Sequence, residues 1–274
     1  MNRALEGKAV IVTGGGAGIG RAAAIACAAA GARVVVADIA VALGEGTVSA
    51  IQQQDGEAIF VATNVADEAQ VEALVAAAVD KFGRLDGAFN NAGLAQANVL
   101  LHDLTATQWR RIQSVNYDGV FFCMKHEIRT MLQTGGGAIV NTSSALGRVA
   151  VPRSADYCGS KGGVLGLTKG AAVDYGHQHI RVNAILPGAV DTPMVQALTS
   201  DPQFSGLLEK RNGKVGGAYR HSCYYETIHQ ILPCRQCPKQ PSRIVCTILD
   251  CRRHLGPPTF IPLMTVNDID KRDL

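Results

Sequence analysis

Tyr157 and Lys161 stand four residues apart in Tyr157-Cys158-Gly159-Ser160-Lys161, within a stretch that reads as a helix. At that spacing the phenol and the ammonium project from one face about one turn apart, so both can act on the same atom. A free tyrosine titrates near 10, and serving as acid or base near neutral pH takes about 4 kcal/mol of stabilisation of the tyrosinate. Lys161, together with a cationic ring bound alongside, would supply it. Ser144 follows the apolar run Ile139-Val140-Asn141-Thr142 and is placed to hydrogen-bond a substrate oxygen. Tyrosine and lysine at helical spacing are usually no more than surface neighbours, so the pair needs a wider frame.

That frame begins with Thr13-Gly14-Gly15-Gly16-Ala17-Gly18-Ile19-Gly20, between a predicted strand and a predicted helix. There a backbone can approach a pyrophosphate, and the helix N-terminus offers free N–H groups. Glycine suits the place because a Cβ would block the approach. The spacing is Gly-x-x-x-Gly-x-Gly, which differs from the strict Gly-x-Gly-x-x-Gly fingerprint. Asp38 ends the second strand, Arg33–Asp38, where a carboxylate accepts hydrogen bonds from the adenosine ribose. A 2′-phosphate would meet like charge there, and neither the loop interior nor Ile39 offers an Arg or Lys to bind one. NAD is therefore expected over NADP, with its nicotinamide as the cationic ring.

The elements that must position these groups alternate along the chain. Strands are predicted at Lys8–Thr13, Arg33–Ala37, Ala58–Ala62, Leu85–Asn90, Ala138–Thr142 and Ile180–Leu186. Helices are predicted from the glycine cluster to about Gly31, near Gly44–Gln54, and at Asp67–Phe82, Gln108–Gln133 and Ala155–Gln178. Alternation of this kind predicts an α/β fold of the Rossmann-like, doubly wound class, a parallel sheet covered on both faces. Six strands are readable. After about Phe204 the periodicity fails, and Pro233, Pro238, Pro241, Pro257 and Pro258 break up the remainder. The expected division is a nucleotide-binding and catalytic domain over 1–205 and a Cys/Pro/His-rich tail over 206–274, not a separate domain.

Taken in order, these motifs resemble the short-chain dehydrogenase/reductases, from Lys8 to about Met194. Besides the glycine loop, the resemblance rests on Asn90-Asn91-Ala92-Gly93, Asn116, Ser144 thirteen positions before Tyr157, and Pro187-Gly188 followed by Thr192. It implies that Tyr157 is the general acid/base, that Lys161 lowers its pKa and binds the nicotinamide ribose, and that Ser144 orients the carbonyl or hydroxyl. Asn116 would support a proton-relay water. Ser143 is an alternative to Ser144, although the family's spacing favours Ser144. The implied cofactor set is Gly14, Gly16, Gly18, Ile19, Gly20, Asp38, Ile39, Asn64, Val65, Asn91, Ala92, Gly93, Tyr157, Lys161, Pro187, Gly188, Val190 and Thr192. Asn64 stands where the family often has Asp, and its amide oxygen can still accept a bond from the adenine amine. The wording of Leu85–Gly93 and Arg181–Val190 is similar to members that oxidise cyclic secondary alcohols or diols. The resemblance also implies a homodimer through Asn116–Met131 and Ala155–Asp174, with a full tetramer not expected.

The tail departs from this pattern. Leu207–Asn212 and Gly213-Lys214-Val215-Gly216 are similar to the family, but no seventh strand ending in a Val-Asp-Gly-Gly-like turn is readable, so that strand is expected to be missing or replaced. A shift of reading frame near Gly217 would explain the break. Residues 1–205 hold 15 Lys/Arg against 17 Asp/Glu, whereas 206–274 hold 11 against 6, so body and tail differ in kind. The formal charge of +3 is too small to argue for nucleic acid. Cys234-x-x-Cys237, with Cys246, Cys251, His221, His229 and His254, could offer zinc ligands, but the spacing fits no standard module and no metal is expected. His177 and His179 read as surface residues. Single, scattered cysteines in the body imply a reducing compartment, and no secretory signal or membrane span is readable, which makes a cytoplasmic location the simplest expectation. The function expected is NAD-linked hydride transfer between a secondary alcohol and its ketone. The alternative is a chain that binds nucleotide and is catalytically impaired by its altered C-terminus. Reading the coding sequence in the other two frames checks the frame-shift idea: one of them should yield a helix followed by a glycine-ended strand.

Overall fold

A computed structural model describes residues 3–188, 190–199 and 248–250. The strands are β1 (Ala9–Thr13), β2 (Arg33–Asp38), β3 (Glu57–Ala62), β4 (Gly87–Asn90), β5 (Gly137–Thr142), β6 (Ile180–Leu186) and β7 (Ile248–Asp250). The helices are α1 (Gly18–Ala29), α2 (Val41–Gln52), α3 (Glu68–Phe82), α4 (Ala106–Gln113), α5 (Gly119–Thr134), α6 (Ala155–Tyr175) and α7 (Pro193–Thr199). All strand pairs are parallel, in the order β3-β2-β1-β4-β5-β6-β7. The strand order reverses between β1 and β4, and a crevice opens at such a switch point.

Strand periodicity explains why helices cover both faces. In β1, Ala9 and Ile11 pack with Leu74, Val75, Val120, Met124 and Val164 of α3, α5 and α6. Val10 and Val12 point the other way, to Ala23, Ala24 and Cys27 of α1 and Ile51 of α2. β2 divides its valines in the same manner. A strand buried on both faces reads as a continuous apolar run, the signal visible in the sequence.

Differences from the sequence reading have local causes. The long helix expected over Gln108–Gln133 is three pieces, because Ser114–Asp118 forms a π-helical turn between α4 and α5. A π turn of five residues is too short for a pattern search to tell from a continuous helix. Asp67 caps α3 by accepting from the Ala69 and Gln70 N–H groups, and Gly83 ends it in the left-handed conformation with φ +75°. Helix α7 was not anticipated. The seventh strand position, expected to be missing or replaced, is occupied: Ile248–Asp250 of the tail pairs with Ala184–Leu186 of β6. Three residues carry too little periodicity to be found by pattern. The rest of the tail, with its cysteine and histidine cluster and the proposed frame shift, lies outside the described residues. No helix among the described residues is long and apolar enough to cross a membrane.

Beneath the carboxyl ends of β4 and β5 lies a buried polar layer. Asn90 Nδ2 donates to Glu127 Oε2 at 2.9 Å and to Asn141 Oδ1 at 3.0 Å, and Asn141 Nδ2 donates to Thr168 Oγ1 at 3.0 Å. Burial pushes the Glu127 carboxyl up to about 8. The folded state therefore keeps a proton that the unfolded chain releases. Its stabilising effect is complete below the ordinary carboxylate range and is lost as pH rises toward 8. Glu127→Gln keeps an acceptor for Asn90 without the ionisation. Thermal melts should show it roughly 1–3 kcal/mol more stable than wild type near pH 9 and no more stable near pH 5.

Candidate functional site

A cleft of about 610 Å³ runs along the carboxyl ends of the strands. At one end it is lined by Asp38, Ile39, Asn64 and Val65, and in the middle by Gly14, Gly18, Ile19 and Asn91–Gly93. At the other end stand Ser144, Tyr157, Lys161, Pro187, Gly188, Val190 and Thr192.

The middle is built from backbone. Gly14 has φ +63°, and a Cβ there would lie 2.9 Å from Ala92 Cα. A Cβ on Gly20 would overlap the Gly14 carbonyl oxygen. The turn is held from both sides. Asn91 Nδ2 donates to the Thr13 and Gly14 carbonyls at 3.3 and 3.4 Å, and Thr13 Oγ1 accepts from the Asn91 and Ala92 N–H groups at 3.0 and 3.2 Å. Thr47 Oγ1 donates to the Gly15 carbonyl at 2.9 Å. Ala17, at the N-cap of α1, has no side chain able to cap, so the first-turn N–H groups are open to an anion. Thr192 packs across this turn, 3.3 Å from where a Cβ on Gly18 would stand, and Val190 packs on Ile19.

Asp38 is held by the same turn. Its Oδ2 accepts from the Gly16 N–H at 2.8 Å and its Oδ1 from the Ala40 N–H at 2.9 Å. Both oxygens retain lone pairs for hydroxyl donors. Ile39 is 73% exposed and Val65 is buried, giving the end of the cleft apolar walls. Asn64 Oδ1 accepts from the Ala66 N–H at 3.1 Å, so its amide is already oriented. A ribose, a flat base and a diphosphate fit this set of groups: carboxylate, apolar walls and open N–H groups follow one another along the cleft.

At the opposite end two elements converge. α6 carries Tyr157 and Lys161, and the backbone after β5 carries Ser143 and Ser144. The Ser143 hydroxyl donates to the Lys161 carbonyl at 2.8 Å, whereas the Ser144 side chain pulls the Tyr157 phenol down. Of the two serines, Ser144 is thus the one beside the phenol. Lys161 Nζ donates to the Thr142 carbonyl at 2.8 Å and lies 5.7 Å from the centre of the Tyr157 ring. Burial brings the Lys161 ammonium down to about 8 and pushes the Tyr157 phenol up, against the pull of the Ser144 side chain. The resemblance gave Lys161 the task of lowering the phenol. Among the protein's own groups burial prevails, because removing either charge from water costs more than the neighbours return.

Asn116, in the π turn, is fully buried behind the cleft wall. Its Oδ1 accepts from the Leu94 N–H at 2.7 Å, and its Nδ2 donates to the Leu94 carbonyl at 2.9 Å. It brackets Gly93 together with Lys161: a Cβ on Gly93 would lie 3.2 Å from Asn116 Oδ1 and 3.5 Å from Lys161 Nζ. Gly16 and Gly20 likewise shape the turn without facing the cleft. Sequence reading missed Leu94, Arg111, Ser114, Val115 and the start of α7, all of which line the cleft. Arg111 of α4 and Ser114 and Val115 of the π turn line it together, an approach that no local signal announces. His177 and His179 are exposed, and no cluster of metal ligands occurs among the described residues.

A family model described as short chain dehydrogenase matches residues 8–203. The chain is 49% identical over 193 residues to a 2,5-dichloro-2,5-cyclohexadiene-1,4-diol dehydrogenase of Sphingobium indicum, covering 70% of this chain and 76% of that one. It is 42% identical over 201 residues to a cis-4-hydroxycyclohexanecarboxylate dehydrogenase of Sinomonas cyclohexanicum, covering 73% and 80%. Among solved structures, that of levodione reductase superposes with a TM-score of 0.78 at 35% identity, covering 82% of this chain and 91% of its own.

The glycine turn makes a direct prediction. Gly20→Ala places a methyl against the Gly14 carbonyl, so the turn must open. Nucleotide affinity, measured by quenching of intrinsic fluorescence or by calorimetry, should fall at least about tenfold, with a loss of roughly 1–3 kcal/mol in stability.

Proposed function

Because the chain belongs to the short-chain dehydrogenase family, we propose that it is an NAD-dependent oxidoreductase exchanging hydride between a cyclic secondary alcohol or diol and its ketone. The family uses a nicotinamide dinucleotide, and the chain is an alcohol oxidoreductase of that family. The choice of NAD and the substrate class are the proposal. One observation carries it: the Ser144–Tyr157 pair and Lys161 stand at one end of a single cleft whose other end holds Asp38 on the glycine turn.

Asp38 accepts the ribose hydroxyls and repels a 2′-phosphate, which favours NAD. The open N–H groups of α1 receive the diphosphate, and Ile39 and Val65 flank the base, with Asn64 at its edge. Pro187, Gly188, Val190 and Thr192 hold the carboxamide end, and Lys161 reaches the nicotinamide ribose. When bound, the oxidised nicotinamide supplies the hydride acceptor and a positive charge. The Tyr157 phenol, raised by burial, is drawn down toward neutrality by that charge and by Lys161. Ser144 holds the substrate oxygen, Tyr157 takes the hydroxyl proton as the carbon gives up hydride, and the reverse sequence reduces a ketone. Asn116 supports this geometry by fixing Leu94 and is the residue we assign to a relay of protons toward solvent. The cyclic substrate class rests on the dehydrogenases of ring alcohols found among the relatives. We assign the chain to the cytoplasm, and we assign a homodimer through α5 and α6, where Phe121, Leu132 and Val173 stand half exposed.

With cyclohexanol and NAD, Tyr157→Phe should lower the rate of NADH formation by about 10² or more while leaving NADH binding within about twofold. Equal rates would remove the proposed chemistry, and binding without turnover in the wild type would favour the impaired alternative. Asp38→Ala should raise kcat/KM with NADP at least about tenfold, since the repelling carboxylate is gone.

A further inference from the structure

The segment after β4, residues 91–100, has no regular secondary structure, yet it supplies Leu94 to the wall of the cleft. A loop of this length would ordinarily be among the more mobile parts of a domain. Here it is tied down at two points. Asn116 grips both backbone groups of Leu94. Three residues further on, the Ala97 N–H donates to Asp156 Oδ2 at 2.9 Å.

Asp156 immediately precedes Tyr157 in the first turn of α6 and is buried, 2% exposed. Its other oxygen, Oδ1, accepts from the Tyr157 N–H at 2.8 Å, and its backbone carbonyl accepts from Gln113 Nε2 of α4 at 3.1 Å. Adjacent residues of a helix point about 100° apart, so Asp156 turns toward the loop while Tyr157 turns into the cleft. One carboxylate thus joins the loop behind the substrate wall to the turn of helix that carries the phenol. Nothing in the chemistry of hydride transfer requires a carboxylate at this place, and a buried one without both bonds would be costly.

We infer that Asp156 is a positioning residue that clips the Leu94–Ala97 wall to the start of α6, setting the distance between that wall and the Tyr157 phenol and so the fit of the alcohol. The inference rests on the proposed function for its substrate, while the clip itself can be measured without turnover. A carboxylate accepts at both oxygens, whereas an amide accepts at one and donates at the other. Asp156→Asn retains the bond to the adjacent Tyr157 N–H, which begins the helix, and turns its NH₂ toward the Ala97 N–H. The helix start survives and the clip is lost. Asp156→Ala loses both.

The test is hydrogen exchange at the Ala97 amide, followed by kinetics. In Asp156→Asn, the Ala97 amide should exchange at least about tenfold faster than in wild type. The KM for cyclohexanol should rise about 5–20-fold with kcat within about threefold, and NADH affinity should hold within about twofold. Asp156→Ala should show the same KM change with a further loss of melting temperature. Unchanged Ala97 exchange in Asp156→Asn overturns the clip. Faster exchange with an unaltered KM overturns its bearing on the substrate, leaving Asp156 a clip of the loop with no part in the fit of the alcohol, as would a loss of NADH affinity equal to the rise in KM. If wild type does not turn over cyclohexanol, the substrate assignment fails separately, and Ala97 exchange still decides whether the clip exists.

Discussion

The close approach of two backbones at the switch point governs the rest of this molecule. The turn leaving β1 and the turn leaving β4 lie against each other without intervening side chains at Gly14 and Gly20, and Thr13 and Asn91 bond across the gap. This brings the N-terminus of α1 to the lip of the cleft with its first N–H groups open. Asp38 takes its position from that turn through the Gly16 N–H. A single side chain added at the crossing would separate the two turns and, with them, the two ends of the cleft.

Burial is the second constraint, and it acts against the chemistry it makes possible. The catalytic end needs a phenol and an ammonium away from bulk water, where their interactions are strong. The same burial raises the Tyr157 phenol and brings Lys161 down to about 8. The protein by itself therefore keeps the phenol protonated, and a cationic ring alongside is what favours the phenolate. Beneath the site, Asn90, Asn141, Glu127 and Thr168 form a polar layer in which each amide orients its neighbour. Such a layer specifies one arrangement of β4, β5, α5 and α6, because few alternatives satisfy its donors.

Loops around the cleft owe their order to side chains from distant elements. Leu94 is held by Asn116, Ala97 by Asp156, and the glycine turn by Asn91 and Thr47. Each bond spans a sequence separation that local pattern cannot register, and each ends on a backbone group. The walls of the cleft are thus fixed by contacts whose donors and acceptors look ordinary in the chain.

Sequence alone determined the alternation of strands and helices, the glycine turn, the carboxylate at the end of β2 and the Tyr157–Lys161 spacing, because each depends on local periodicity or on residues a few positions apart. It also marked residue 205 as the place where that regularity ends. Tertiary structure decided which serine meets the phenol, since Ser143 and Ser144 are adjacent and only packing against α6 tells them apart. It decided that Asn116 sits in a π turn behind the wall, that α4 brings Arg111 and the π turn brings Val115 to the cleft, and that three residues of the tail extend the sheet beside β6. The direction in which the catalytic groups are shifted was likewise beyond the sequence, because burial is a property of the assembled fold and of no residue by itself.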